Sequence, residues 1–150
     1  MAWFQRIPGA DVTGMVDSGV SAITYDSNGN YSSGGIQFGT VVKYKSSGGI
    51  NTVQVTTTND RPMGVAISDP AAGPNEPVII QFLGQCKVLA GGAISQGDLV
   101  ACTTNGEIAT AAAAGVSDQS ILGFALEAAS QAGDLITVQL QVGSFTQVNA

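Results

Sequence analysis

The sequence predicts an all-β protein: a small closed or partly closed β-barrel or sandwich, built from two pseudo-repeats and preceded by an extended N-terminal arm. Three observations predict it. Val, Ile and Thr together supply 38 of the 150 residues, whereas Lys and Glu together supply six, a balance that favours strands over exposed helices. Glycine supplies 20 residues, against a usual share of about 7%, and so provides turns. The chain also matches itself. At an offset of 58, residues 34–60 lie over 92–118, and eight of those 27 pairs are identical, among them Gly39/Gly97, Val42/Val100, Ile50/Ile108 and Thr52/Thr110. About two identities are expected by chance.

The arm comes first, residues 1–33. Residues 1–22 show weak periodicity, interrupted by Pro8, Gly9, Gly14 and Gly19. Trp3, Phe4, Arg6 and Ile7 lie there, and aromatic and arginine side chains are enriched at interface hot spots. They are candidate anchors onto a partner; the alternative is that Trp3 and Phe4 cover the end of the chain's own barrel. Residues 23–33 read as a hairpin turning at Asn28-Gly29. The remainder, 34–150, reads as one domain of two copies, 34–91 and 92–150. Strands are expected near 40–45, 50–57, 63–68 and 78–83, and again near 98–103, 107–113, 121–127 and 135–142. In the last, Ile136, Val138, Leu140 and Val142 alternate with Thr137, Gln139 and Gln141, a period of two with one apolar and one uncharged polar face. Residues 108–116 are alanine-rich and read as helix on propensity alone. Their counterpart, 50–58, is rich in Thr and Val, so both are expected as strands. One inserted residue moves the offset to 59, which lays Met63-Gly64-Val65-Ala66-Ile67 over Leu122-Gly123-Phe124-Ala125-Leu126.

Composition excludes several functions. Without histidine the chain lacks the usual general base, the usual partner of a Ser or Cys nucleophile and the commonest zinc ligand. Eleven acidic residues against five basic ones give no footprint for nucleic acid. No apolar stretch nears the roughly 20 residues of a membrane span, and the start lacks a signal-peptide core. A soluble acidic protein made in a cytoplasm is expected, with Cys86 and Cys102 as free buried thiols.

Three motifs could carry chemistry, and each has a plainer reading. Asp26, Asn28 and Asn30 have the spacing that opens a calcium loop, but Tyr31 and Gln37 stand where glycine and glutamate are required, leaving an Asn-Gly turn. Asp17-Ser18-Gly19 resembles the loop of retroviral-type aspartic proteases, with Val20 in place of a small residue. Gly97-Asp98 and Gly133-Asp134 could form a carboxylate pair for glycoside hydrolysis, yet Gly-Asp is common turn chemistry. No catalytic, metal or cofactor site is expected.

The phrases Gly92-Ala93-Ile94-Ser95-Gln96-Gly97-Asp98-Leu99-Val100, Ile121-Leu122-Gly123-Phe124-Ala125-Leu126, Ala132-Gly133-Asp134-Leu135-Ile136 and Pro62-Met63-Gly64-Val65-Ala66-Ile67 resemble the capsid decoration, or cement, proteins of tailed bacteriophages. The resemblance covers roughly 34–143 and leaves the arm uncovered. It implies a structural virion protein, not an enzyme, made in the host cytoplasm and bound in many copies to the outer capsid surface. Its partner would be the major capsid protein, in a homo-oligomer with a trimer favoured, stabilising the shell without contact to nucleic acid or membrane. The competing expectation is a head-fibre or tail-appendage module that binds a host receptor or glycan.

Overall fold

The computed structural model describes residues 11–46, 52–58, 60–111 and 119–146. Strands dominate it: β1 (Asp11–Val16), β2 (Thr24–Tyr25), β3 (Tyr31–Ser33), β4 (Val41–Tyr44), β5 (Thr52–Val55), β6 (Gly64–Ala66), β7 (Pro77–Gln81), β8 (Leu83–Leu89), β9 (Leu99–Cys102), β10 (Ile108–Thr110), β11 (Gln119–Ala125) and β12 (Leu135–Thr146). The first sheet is a closed barrel in the order β1-β5-β4-β6-β7. Its closure is made by β1, antiparallel to β7 on one side and parallel to β5 on the other. The second sheet runs β10-β9-β11-β12-β8, and a single parallel bridge from Ala90 to Ile108 links its two edges. The β2–β3 hairpin forms a separate two-stranded sheet.

The all-β expectation holds, with differences in detail. No strand was expected within 1–22, yet 11–16 closes the first barrel. Gly14 looks like an interruption in the sequence; in the barrel it is a buried position opposite Val78. The single strand expected over 78–83 is two. The chain leaves the first barrel after Gln81 and enters the second sheet at Leu83. β8 was not anticipated either, because at an offset of 58 it lies over residues 25–31 and finds no likeness there. Its period of two, with Cys86 and Val88 buried between Gln85 and Lys87, was a usable signal.

The same backbone hydrogen bonds recur in the two sheets. Ile36 and Ala72 exchange bonds at 2.7 and 3.0 Å, and Ile94 and Ala129 at 3.0 and 2.9 Å. The Gly39 amide donates to the Ala66 carbonyl, and the Gly97 amide to that of Ala125, both at 2.8 Å. Val16 bonds to Asn75 and Glu76 as Ala90 bonds to Gly133 and Asp134, which makes β1 the positional counterpart of β8. In the hairpins that follow, the correspondence shifts. Val42 pairs with Val55 and Val100 with Thr110, and the Asp17 and Gly91 amides donate to the carbonyls of Val53 and Ile108. The offset there is 55, so the identical pair Thr52/Thr110 does not occupy equivalent places; Ile50 lies outside the described residues. The stretch from Val42 to its partner Val55 is three residues longer than that from Val100 to its partner Thr110, which accounts for the slip.

Two adjacent cores result. Val16, Ile36, Val42, Val53, Ala66, Val78 and Ile80 fill the first barrel. Val88, Val100, Ile108, Leu122, Val138 and Leu140 pack beneath the second sheet together with Val41 and Val65 of the first. Strands β4 and β6 thus send alternate residues to opposite cores, so both of their faces are apolar, as strands buried on two sides must be. Gly64 and Gly123 hold matching places on β6 and β11. A Cβ on Gly64 would collide with the Gln81 carbonyl, and one on Gly123 with that of Gln139.

Candidate functional site

The candidate anchors Trp3, Phe4, Arg6 and Ile7 lie outside the described residues. The other singled-out residues are spent on structure. Asp17, at the end of β1, accepts a 2.8 Å hydrogen bond from the Lys45 ammonium. That bond lowers its pKa, burial opposes it, and the Gly19 and Ser18 amides add to the lowering. An aspartic dyad needs two carboxylates sharing a proton; Asp17 is instead held ionised by a cation. Asp26 Oδ1 accepts the Asn28 and Asn30 amides at 2.8 and 2.9 Å, closing the expected Asn-Gly turn.

The two Gly-Asp pairs behave alike. Asp98 Oδ2 accepts the Ser95 amide at 3.0 Å and the Thr110 hydroxyl at 2.8 Å. Asp134 Oδ2 accepts the Ser130 amide and hydroxyl at 2.8 and 2.9 Å and the Gln131 amide at 3.1 Å, and these bonds hold its carboxyl below the usual range. Each carboxylate clamps its own turn. Asp60 does the same, taking the Thr57 amide at 2.6 Å and the Lys43 ammonium at 2.5 Å. Burial would raise its pKa, and these partners more than offset that. Cys86 and Cys102 are free and buried, and burial pushes the Cys86 thiol up to about 12. Such a thiol has almost no thiolate and is a poor nucleophile.

The sheets are locked together at two turns. Gly39 donates to Ala66 while its carbonyl accepts the Leu89 amide of β8 at 2.9 Å. Gly106, in the β9–β10 turn, donates to Thr56 at 3.2 Å and leaves no room for a Cβ against Thr40, Val41 and Val55. The described lysines are paired as well: Lys43 with Asp60, Lys45 with Asp17 and Lys87 with Glu127. Among the described residues the arrangement offers braced turns and no assembled reactive groups.

A family described as phage cement protein matches residues 36–140. The chain belongs to that family. It is thus a structural protein associated with a phage capsid. The crystal structure of the head fibre gp8.5 N base in bacteriophage phi29 has a similar fold, with a TM-score of 0.61 at 21% identity over 87% of this chain and 92% of that one. No curated protein matches the chain.

The cement protein's exposed surface includes a cleft of about 300 Å³ between the β2–β3 hairpin and the second sheet, lined by Tyr25, Tyr31, Gln37, Phe38, Asp69 and Leu135, among others. A larger cleft of about 650 Å³ holds Tyr44, Met63 and Phe82, together with the Lys43–Asp60 pair. The first brings together residues far apart in sequence. No local motif announces Asp69 or Leu135 as neighbours of the tyrosines, and only the hairpin, with Tyr25 and Tyr31 flanking an Asn-Gly turn, was legible.

Proposed function

We propose that this cement protein binds the outer surface of a bacteriophage capsid and stabilises the shell. Its partner is the major capsid protein, and it acts as a homo-oligomer, with a trimer favoured, after synthesis in the host cytoplasm. The observation that carries this reading is the family match over 36–140, which spans β4–β11 and half of β12; with β1 these strands form a closed barrel and a second sheet locked to it. A clamp must resist strain, and a fold with few open edges, paired lysines and turn-clamping carboxylates suits that task. Weak contacts multiplied by copy number then give firm attachment. The net charge of −6 steers the protein away from DNA and toward a complementary basic patch. We place the attachment in the N-terminal segment, at Trp3, Phe4, Arg6 and Ile7, and read the two sheets as two copies of one unit.

Sedimentation of the source particles, with copy number measured by mass spectrometry, tests this. Hundreds of copies on the head, and shells weakened by their removal, are expected. About a dozen copies, or a tail-associated band, would transfer the protein to the appendage reading. A variant lacking residues 1–9 should fold and fail to attach; loss of folding would place Trp3 and Phe4 in the chain's own core.

A further inference from the structure

Between β1 and β4 the first sheet carries a hairpin that the second lacks between β8 and β9. Twenty residues separate Val16 from Ile36, whereas four separate their counterparts Ala90 and Ile94. The framework closes without this insertion, so its construction needs another reason. It is built rigidly. Asp26 clamps the turn, the Thr24 and Ser33 hydroxyls bond at 2.8 Å, and the Tyr31 hydroxyl donates to the Gly34 carbonyl at 2.7 Å while accepting from Gln37 Nε2 at 2.5 Å. Yet every residue of its two strands is exposed.

Tyr25 and Tyr31 are cross-strand partners, which puts both rings on one side of the hairpin. Tyr25 is 62% exposed, and its hydroxyl has no partner among the described residues. The rings border the 300 Å³ cleft, whose apolar wall includes Phe38 and Leu135. That volume is at the small end for ligand clefts, which span roughly 300–1,000 Å³. Asp69, on its rim, is exposed and its carboxylate makes no bond among the described residues, whereas Asp26, Asp60, Asp98 and Asp134 each clamp a turn. A rigid aromatic pair over a small cleft with an open acceptor is complementary to a ligand that has an apolar face and hydroxyl donors at its edge.

We propose that this cleft is a saccharide-binding site, in which Tyr25 and Tyr31 stack on a sugar ring while the Asp69 carboxylate and the Gln37 side-chain oxygen accept its hydroxyls. The ligand is not anionic, because an acidic chain with an open carboxylate repels anions; a neutral saccharide fits. The larger cleft fits this role less well, since Lys43 and Asp60 are already spent on each other. Affinity per site is low, and many copies on one particle multiply it. The site would let a capsid-bound protein hold the particle near glycan-coated surfaces, independently of how the protein grips the shell.

The test is titration of the full chain with maltotriose, cellotriose and chitotriose at millimolar concentration, followed by amide chemical shifts. At least one should bind, with shifts confined to the cleft lining, residues 23–38, 69–71, 89 and 135, and little dependence on salt. Tyr25→Ala should weaken binding about tenfold or more and Asp69→Asn severalfold. Tyr25→Phe, which keeps the ring, should bind nearly as wild type, and Tyr44→Ala, outside the cleft, should change nothing. The proposal is overturned if no trisaccharide shifts those amides, if Tyr25→Ala binds normally, or if only a lysine-rich peptide binds and salt abolishes it. Tyr25→Ala particles should retain the protein; their loss of it would assign the hairpin to capsid contact instead.

Discussion

The first barrel and the second sheet share one strand order and differ in closure. In the first, β1 runs beside β5 through two parallel pairs, Met15 with Thr52 and Val16 with Val53. In the second, the matching place has one bridge, Ala90 to Ile108. The second sheet offsets its looser seam with longer strands, β8 of seven residues and β12 of twelve. The first has shorter strands and adds an inserted hairpin. Rigidity is thus reached by two routes from one order: short strands fully closed, or long strands nearly closed. The first route leaves room for decoration, since an insertion between β1 and β4 costs the barrel no pairing.

Five predictions break or sharpen this comparison. The largest effect is expected at the matching glycines. Gly64→Ala and Gly123→Ala each drive a methyl into a backbone carbonyl, costing about 3 kcal/mol or more. Chemical denaturation measures this, and tolerance at either site would show that the two close approaches are not equivalent. Next come the neighbours Val41 and Val42, which point into different cores. Truncation of either to Ala should cost about 2 kcal/mol. Hydrogen exchange should place the loosening of Val41→Ala in β8–β12 and that of Val42→Ala in β1 and β4–β7. The same pattern for both would mean one shared core.

Smaller still is the contrast between Gly39 and Gly97, counterpart turn residues with φ of 85° and 91°. Alanine at either position meets a left-handed backbone, at about 1–2 kcal/mol. Only Gly39 would also press on Leu135 and Leu89, whereas nothing lies within 4 Å of a Cβ at Gly97. The melting temperature should therefore fall further for Gly39→Ala. Acid gives the next test. Asp17 and Asp60 in the first sheet, and Glu127 and Asp134 in the second, are all held below their ordinary pKa. Their stabilisation is present above the unfolded carboxylate range, near pH 4, and is lost as pH falls through the lowered folded values. Melting temperature should be flat from neutral pH to about pH 4.5 and decline below it. Lys87→Gln, which breaks an exposed pair, should cost only a few tenths of a kcal/mol.

The sequence by itself determined the all-β class, the locations of seven strands and most of β7, the Asn28-Gly29 turn and the structural role of Asp98 and Asp134. Period-two alternation and turn dipeptides are local, and local chemistry is written in local sequence. Family membership was legible for the same reason, because its phrases mark turns and strand starts.

What only the tertiary structure decided depends on partners distant in the chain. Residues 11–16 form a strand because β7 and β5 flank them, and no periodicity around Gly14 could say so. Phe82 divides two strands because the neighbours of Gln81 and Leu83 belong to different sheets. Thr52 and Thr110 align in sequence yet hold different places in their sheets, since register is set by hydrogen bonds across the sheet rather than by identity. The tyrosine cleft was invisible for that reason too: Asp69 and Leu135 reach Tyr25 only after β1, β7 and β8 have fixed where the hairpin stands.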